Sequence, residues 1–210
     1  MPRLAANLSF LFTERPFFER FAAARAAGFA AVEFHFPYEY DRAALAEVVL
    51  TSGLEVVLFN LPAGDWAAGE RGIACHPRRF AAAVTARAGI RLLLEPLNTR
   101  DTPGFFVATS RAGLAVIDAV GSDNLRLQYD IYHAQVMEGD LARTLQEHLP
   151  RIGHVQLADN PGRHEPGSGE INFPFLLRHL DRIGYDGWVG CEYKPGARTE
   201  DSFAWLREWT

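Results

Sequence analysis

The stretch WVGCEYKP, residues 188–195, runs like a buried strand and then ends in an acid. Trp188, Val189 and Cys191 are apolar strand positions, and Glu192 follows them with Lys194 and Pro195 close behind. The same arrangement recurs at LLLEP (92–96), at LQYDIYH (127–133) and at HVQLADN (154–160), where an apolar run closes on an acid, or on Gln156 with Asp159 nearby. Lone strand-end acids occur in many folds, but a repeated pattern asks for one cause. Parallel strands whose C-terminal ends open on a common mouth supply it, because functional side chains in a (β/α)₈ barrel come from several strand ends at once.

Working outward, short β-type runs alternate with longer stretches of helical period. Strands are expected at Leu4–Phe10, Ala31–Phe36, Glu55–Asn60, Arg91–Pro96, Leu125–Asp130, Ile152–Ala158 and Gly187–Tyr193, each apolar enough to be covered on both faces. Between them the spacing predicts helices over Pro16–Ala27, Asp41–Ser52 capped by Asp41 and stopped by Gly53, Ser110–Val120 capped by Ser110, Asp140–Leu149, Phe173–Ile183 and Thr199–Trp209. Strand alternating with helix implies parallel βα units, closed as a barrel or open as a doubly wound sheet. An open sheet demands a Gly-rich phosphate turn after an early strand, and neither NLSFLFTERP nor FHFPYEYD contains one. The expected fold is therefore α/β, TIM (β/α) barrel-like, with seven parallel strands where such barrels have eight. No gap between strand starts is long enough to hide a complete further unit.

The 210 residues carry 48% hydrophobic and 22% charged side chains, suited to one globular domain, and a net charge of −5 that gives no basic field for nucleic acid. The N-terminal MPRLAANLSFLFTERPFFERF meets Arg3, Glu14 and Arg15 too soon for a signal or membrane segment, and Cys75 and Cys191 form no CxxC or disulfide-like framework. A cytoplasmic protein without membrane association is expected. Neither cysteine has an activating neighbour in sequence, so neither is a candidate nucleophile. Phe34, Phe36, Phe59 and Trp66 are expected as core or wall.

If the strand ends converge, Glu95, Asp130, Gln156 and Glu192 bring three carboxylates and an amide oxygen together, which is costly unless a cation lies between them. An all-oxygen set favours Mg²⁺ or Mn²⁺ over zinc. The alternative is that these acids pair separately with Lys194, Arg163 or Arg126. A metal held in this way can chelate an α-hydroxycarbonyl and stabilise its enediolate, while Glu95 and Glu192 remove and redeliver the proton, which is aldose–ketose isomerisation. His133, three residues after Asp130, is a candidate for a substrate oxygen or a structural residue. Arg163 and Lys194 are candidates for a substrate carboxylate. His154 and His164 are weaker candidates, the former on the same strand as Gln156.

The words ANLSFLF, AVEFHFPYEYD, NLPAGDWAAGERGIAC, LLLEPLN followed by DTPGF, QYDIYHAQ, GHVQLADNPGRHEPGSGEINF and GWVGCEYKP, in this order and over nearly the whole chain, resemble the hydroxypyruvate isomerase family of xylose-isomerase-like TIM barrels. The resemblance implies an isomerase without organic cofactor that interconverts hydroxypyruvate and 2-hydroxy-3-oxopropanoate (tartronate semialdehyde). It matches Glu95 and Glu192 to the family's proton-transfer glutamates, and the wider superfamily's metal set to Glu95, Asp130, Gln156 and Glu192. Many sugar epimerases of that superfamily have His where Gln156 stands. It also implies that about fifty residues, one βα unit of a barrel, are lacking near positions 80–81. A chain short of one unit could expose strand edges that pair between copies, so a homo-oligomer is one expectation. Rival expectations are an isomerase or epimerase of a longer 2-oxo sugar acid or ketose, a nuclease resembling the zinc-dependent apurinic endonucleases, and a catalytically impaired barrel.

Overall fold

The computed structural model describes residues 1–70, 72 and 89–209. Cys75 and the junction at 80–81 lie outside the described residues. Seven strands form: β1 (Arg3–Asn7), β2 (Ala31–Phe34), β3 (Glu55–Phe59), β4 (Leu92–Leu94), β5 (Leu125–Asp130), β6 (Ile152–Leu157) and β7 (Trp188–Cys191). The helices are α1 (Phe17–Ala26), α2 (Arg42–Ser52), α3 (Ser110–Val120), α4 (Ile131–Met137), α5 (Leu141–His148), α6 (Phe173–Arg182) and α7 (Ala204–Trp209), with short 3₁₀ turns beside some of them. All seven expected strands are present. All but β5 stop short of the apolar run's end, so Glu95 and Glu192 stand just beyond the last strand residue, while Asp130 is the last residue of its strand.

The chain divides into two compact units, Met1–Asn60 with Leu157–Thr210, and Leu61–Gln156. In the first unit four parallel strands run in the order β3-β2-β1-β7. The pairings Asn7↔Glu33 and Ala6↔Cys191 level the C-terminal ends of β1, β2 and β7. Helix α1 buries Phe17, Phe21 and Ala24, one stripe of a helix, and Phe17 and Phe21 each meet Phe34 of β2 at 5.5 and 5.8 Å between ring centroids. Burying each such ring is worth about 1.5–3 kcal/mol. Helix α6 buries Phe173, Leu176, Leu177 and Leu180 by the same periodicity, and its first turn is capped by Asn172, which accepts from Phe175 N–H at 3.1 Å. In α2, Asp41 accepts from Ala44 N–H as expected, and Gly53 at φ 66° ends the helix in a left-handed turn.

The second unit carries β6, β5 and β4, again parallel, with Asp130 directly opposite Gln156 in the ladder. One expectation is corrected here. Thr109 caps α3, accepting from Ala112 N–H at 3.2 Å, while Ser110 is already helical and gives its hydroxyl to Glu138. The segment after Asp130 is helix α4, because the Asp130 carboxylate accepts from Tyr132 N–H at 2.7 Å and so starts a helix directly at the strand's end.

The strands are not uniformly covered. β3 and β4 are partly exposed, since each is the terminal strand of its unit's sheet among the described residues. Phe59 on β3 and Trp66 in the loop beyond it are correspondingly 39% and 55% exposed, not core, whereas Phe34 is buried. No helix among the described residues is long and apolar enough to cross a membrane.

Candidate active site

In the second unit, Glu95, Asp130 and His133 present one ligand-type atom each within 4.8 Å of one another. His133 Nε2 lies 3.6 Å from Asp130 Oδ2 and 4.0 Å from Glu95 Oε1. Asp130 is held by its role as helix cap, its other oxygen facing the backbone of Tyr132 and His133. Its side chain is fully buried, while that of Glu95 keeps 21% exposure. Gln156, beside Asp130 in the ladder, accepts from Gln128 Nε2 at 2.6 Å, a bond that orients its amide. Carboxylates gathered in low dielectric repel one another unless a cation or proton compensates, and an oxygen-rich set of this kind suits a hard divalent ion.

In the first unit, Glu192 is buried and its Oε1 accepts from Arg163 Nη2 at 2.7 Å and lies 3.2 Å from His35 Nε2. The Arg163 guanidinium on that oxygen favours the carboxylate over the acid. Burial alone would lower the His35 pKa, but the Glu192 carboxylate, with a smaller contribution from Glu33, outweighs it and the net shift is upward. Phe10 lies against both groups, 4.8 Å from the Arg163 guanidinium and edge-on to the His35 ring. Glu33 is fully buried and accepts from Asn7 Nδ2 at 2.8 Å, its pairing partner across the ladder. It reaches past β1 to cover Gly190 on β7, where any Cβ would overlap its carboxylate. Gly190→Ala is therefore expected to cost about 1–3 kcal/mol in urea unfolding, with part of the loss regained when Glu33 is shortened to Asp. A Gly190→Ala variant as stable as wild type would contradict this packing.

Arg163 owes its position to the loop 158–174. Its backbone is left-handed at φ 60°, a conformation costing a non-glycine residue about 1 kcal/mol or more, and its carbonyl accepts from Lys194 N–H at 2.7 Å. Asp159, fully buried, gathers the loop: Oδ1 accepts from Asn160 and Ile171 N–H, Oδ2 from Gly167 and Gly169 N–H, all within 3.1 Å. Lys194 contributes main-chain bonds, its carbonyl accepting from His164 Nδ1, and its side chain is exposed. His154 is buried on β6. Cys191 is buried, and burial first, then Glu33, pushes its thiol pKa up, which opposes a nucleophilic role.

The structure thus gathers Glu95, Asp130 and His133 in one unit and joins Glu192 to Arg163 in the other. Sequence reading did not single out His35, Glu33, Asn7, Asn98 or Asp159 as site residues. The signal for Glu33 was present in AVEFHF, an acid inside an apolar strand, but it sits before the run's end and escapes a rule built on strand termini.

Fold and acids together define a class: a parallel βα protein with metal-capable carboxylates at strand C-termini. The family described as xylose isomerase-like TIM barrel matches residues 76–209. The chain is 42% identical to a 2-oxo-tetronate isomerase of Cupriavidus necator, over 99% of this chain and 98% of that one, and 42% identical to a hydroxypyruvate isomerase of Escherichia coli K12, over 98% of each. A solved structure titled AP endonuclease, family 2, from Brucella melitensis is 40% identical, with a TM-score of 0.94 over 99% of both chains. The chain belongs to the xylose isomerase-like TIM barrel family, and the barrel-type fold expected from the strand-end acids is borne out. The alignment to the Cupriavidus protein spans 255 positions, more than the 210 residues here, so it includes positions this chain lacks.

Proposed function

We propose that the chain is an aldose–ketose isomerase interconverting hydroxypyruvate and 2-hydroxy-3-oxopropanoate in the cytoplasm, with Glu95 and Glu192 as its two proton-transfer groups. The observation that carries this is the pair of held glutamates just past strand ends, one in an acid cluster and one clamped by Arg163 and His35, in a chain 42% identical to two named isomerases of small oxo acids. The positions lacking relative to those isomerases we assign to the segment near 80–81.

The reaction moves one proton between adjacent carbons. One glutamate takes a proton from C3 of hydroxypyruvate, giving an enediolate, and the other delivers a proton to C2. The hydroxyl on C3 loses its proton as the aldehyde forms, and the oxygen on C2 gains one. We assign the Arg163 guanidinium, which donates to Glu192, to the substrate carboxylate as well, with Lys194 as a second cation for that group. His133 Nε2 faces the acids as a donor for a substrate oxygen.

Glu95 and Asp130 fit a divalent cation: both are carboxylates, and they lie within one cluster beneath a partly open side. We assign Gln156 and Glu192 as the further ligands, and Mg²⁺ or Mn²⁺ as the ion, which would supply Lewis-acid polarisation of the substrate's two oxygens. No organic cofactor takes part in these steps. Purified protein treated with EDTA is expected to lose more than about a hundredfold in hydroxypyruvate isomerisation and to regain it with Mg²⁺ or Mn²⁺. Undiminished turnover after chelation would contradict the metal assignment.

A second reading is favoured by the Cupriavidus relative, whose name gives a four-carbon 2-oxo acid as substrate. Comparing kcat/KM for hydroxypyruvate and 2-oxo-tetronate separates the two. The endonuclease title of the Brucella structure describes that protein; in this chain a net charge of −5 opposes a DNA-facing surface. A folded barrel that turns over neither oxo acid would instead be catalytically impaired.

A further inference from the structure

Asn98 lies fully buried in the loop that follows Glu95. Its backbone N–H donates to His133 Nδ1 at 3.0 Å, and its side-chain Nδ2 approaches the same nitrogen at 2.7 Å. The amide cannot be turned over. Its Oδ1 already accepts from Arg100 N–H at 3.1 Å and Asp101 N–H at 2.8 Å, and its Nδ2 donates to Asp101 Oδ2 at 2.9 Å. Asp101 is itself fixed by the Tyr132 hydroxyl at 2.8 Å, on the residue next to His133. Both atoms of Asn98 that meet the imidazole are therefore donors, and one is a main-chain N–H that has no other role to adopt.

An imidazole nitrogen that receives two N–H donors must carry a lone pair and no proton. We propose that Asn98 is a positioning residue that holds His133 as the neutral tautomer protonated on Nε2. The ring then presents an N–H, not a lone pair, to Asp130 and Glu95. Of the three groups in the acid cluster, His133 is consequently a hydrogen-bond donor and cannot ligate a metal through the nitrogen that faces it, leaving the carboxylates for the ion. This explains how a histidine can share a cluster with two carboxylates without competing for their cation. The tautomer stands independently of the isomerase reading; only the kinetic consequence rests on that reading.

The test is ¹⁵N–¹H correlation spectroscopy of uniformly labelled full-length protein at one fixed neutral pH, with and without Mg²⁺, His133 being identified by the signals lost in His133→Gln. The expected result is a pyridine-type Nδ1 and a pyrrole-type Nε2, unchanged when Mg²⁺ is added. A protonated Nδ1 in wild-type protein, or loss of the Nε2 proton on adding Mg²⁺, would overturn the assignment whether or not the chain is an isomerase. In Asn98→Asp the side-chain donor becomes an acceptor set against the main-chain N–H that remains, so the two tautomers are expected to mix and Nδ1 to lose part of its pyridine-type character, with kcat for hydroxypyruvate falling about 10- to 100-fold. An Asn98→Asp protein that folds and keeps the wild-type nitrogen signature would also overturn it. Should that variant not fold, the wild-type spectrum alone decides.

Discussion

Glu95→Gln and Glu192→Gln are each expected to lower kcat for hydroxypyruvate isomerisation by about 10²- to 10⁴-fold, the range a positioned general acid or base contributes. Both variants are expected to keep a cooperative urea transition. The physical basis differs between them. At position 192 the amide still accepts from Arg163, but the carboxylate charge that faces Arg163 and raises the His35 pKa is gone, so the loss is expected to fall on proton transfer. At position 95 the amide removes one of the carboxylates around His133, so the proposed site would lose both its base and a metal ligand. Glu95→Gln should accordingly raise the Mg²⁺ concentration needed for half-maximal activity. Wild-type turnover in both variants would remove the proposed mechanism.

Asp159→Ala is expected to produce the largest loss of stability. Four backbone N–H groups converge on its two buried oxygens, and each buried donor left without an acceptor costs about 1–3 kcal/mol. A loss of at least about 3 kcal/mol in urea unfolding follows, even if water replaces part of the carboxylate. Asp159→Asn preserves the shape but turns one acceptor into a donor facing two N–H groups, so it should be nearly as damaging. Activity should fall further than stability explains, because the same loop holds Arg163 in its left-handed backbone against Glu192. An Asp159→Asn protein with wild-type stability would show that water or loop rearrangement satisfies those groups.

Much of the fold was legible because parallel βα units write a strong local code. Apolar runs such as LRLQYD and HVQLA are short, as strands are, and stripes such as Phe173, Leu176, Leu177 and Leu180 recur at helical spacing. What failed were decisions between neighbouring residues. Thr109 and Ser110 are both good caps, and only the backbone shows which one is outside the helix. Asp130 looked like a strand terminus, and it is, but its carboxylate also starts a helix on the next residue. Exposure of Phe59 could not be read from composition, since it depends on whether another strand lies beside β3.

The acids of the candidate site were legible, and what holds them was not. Glu95, Asp130 and Glu192 follow from one rule about strand ends. Asn98, Glu33 and Asp159 do their work through main-chain geometry and through contacts across the sheet, as when Glu33 on β2 covers Gly190 on β7. Such contacts leave no periodic trace in the sequence. His35 illustrates the same limit: next to Phe34 and Phe36 it reads as part of an aromatic strand, and only its 3.2 Å approach to Glu192 marks it as part of a charge group.

The most direct measurement of the two-glutamate claim is loss of the C3 hydrogens of hydroxypyruvate in D₂O, followed by ¹H NMR with Mg²⁺ for wild type, Glu95→Gln, Glu192→Gln and the double variant. With one base removing the proton and the other delivering it, exactly one single variant should still exchange C3 hydrogens with solvent while forming no product, and the double variant should do neither. Exchange at the wild-type rate in the double variant would contradict the assignment of proton transfer to Glu95 and Glu192.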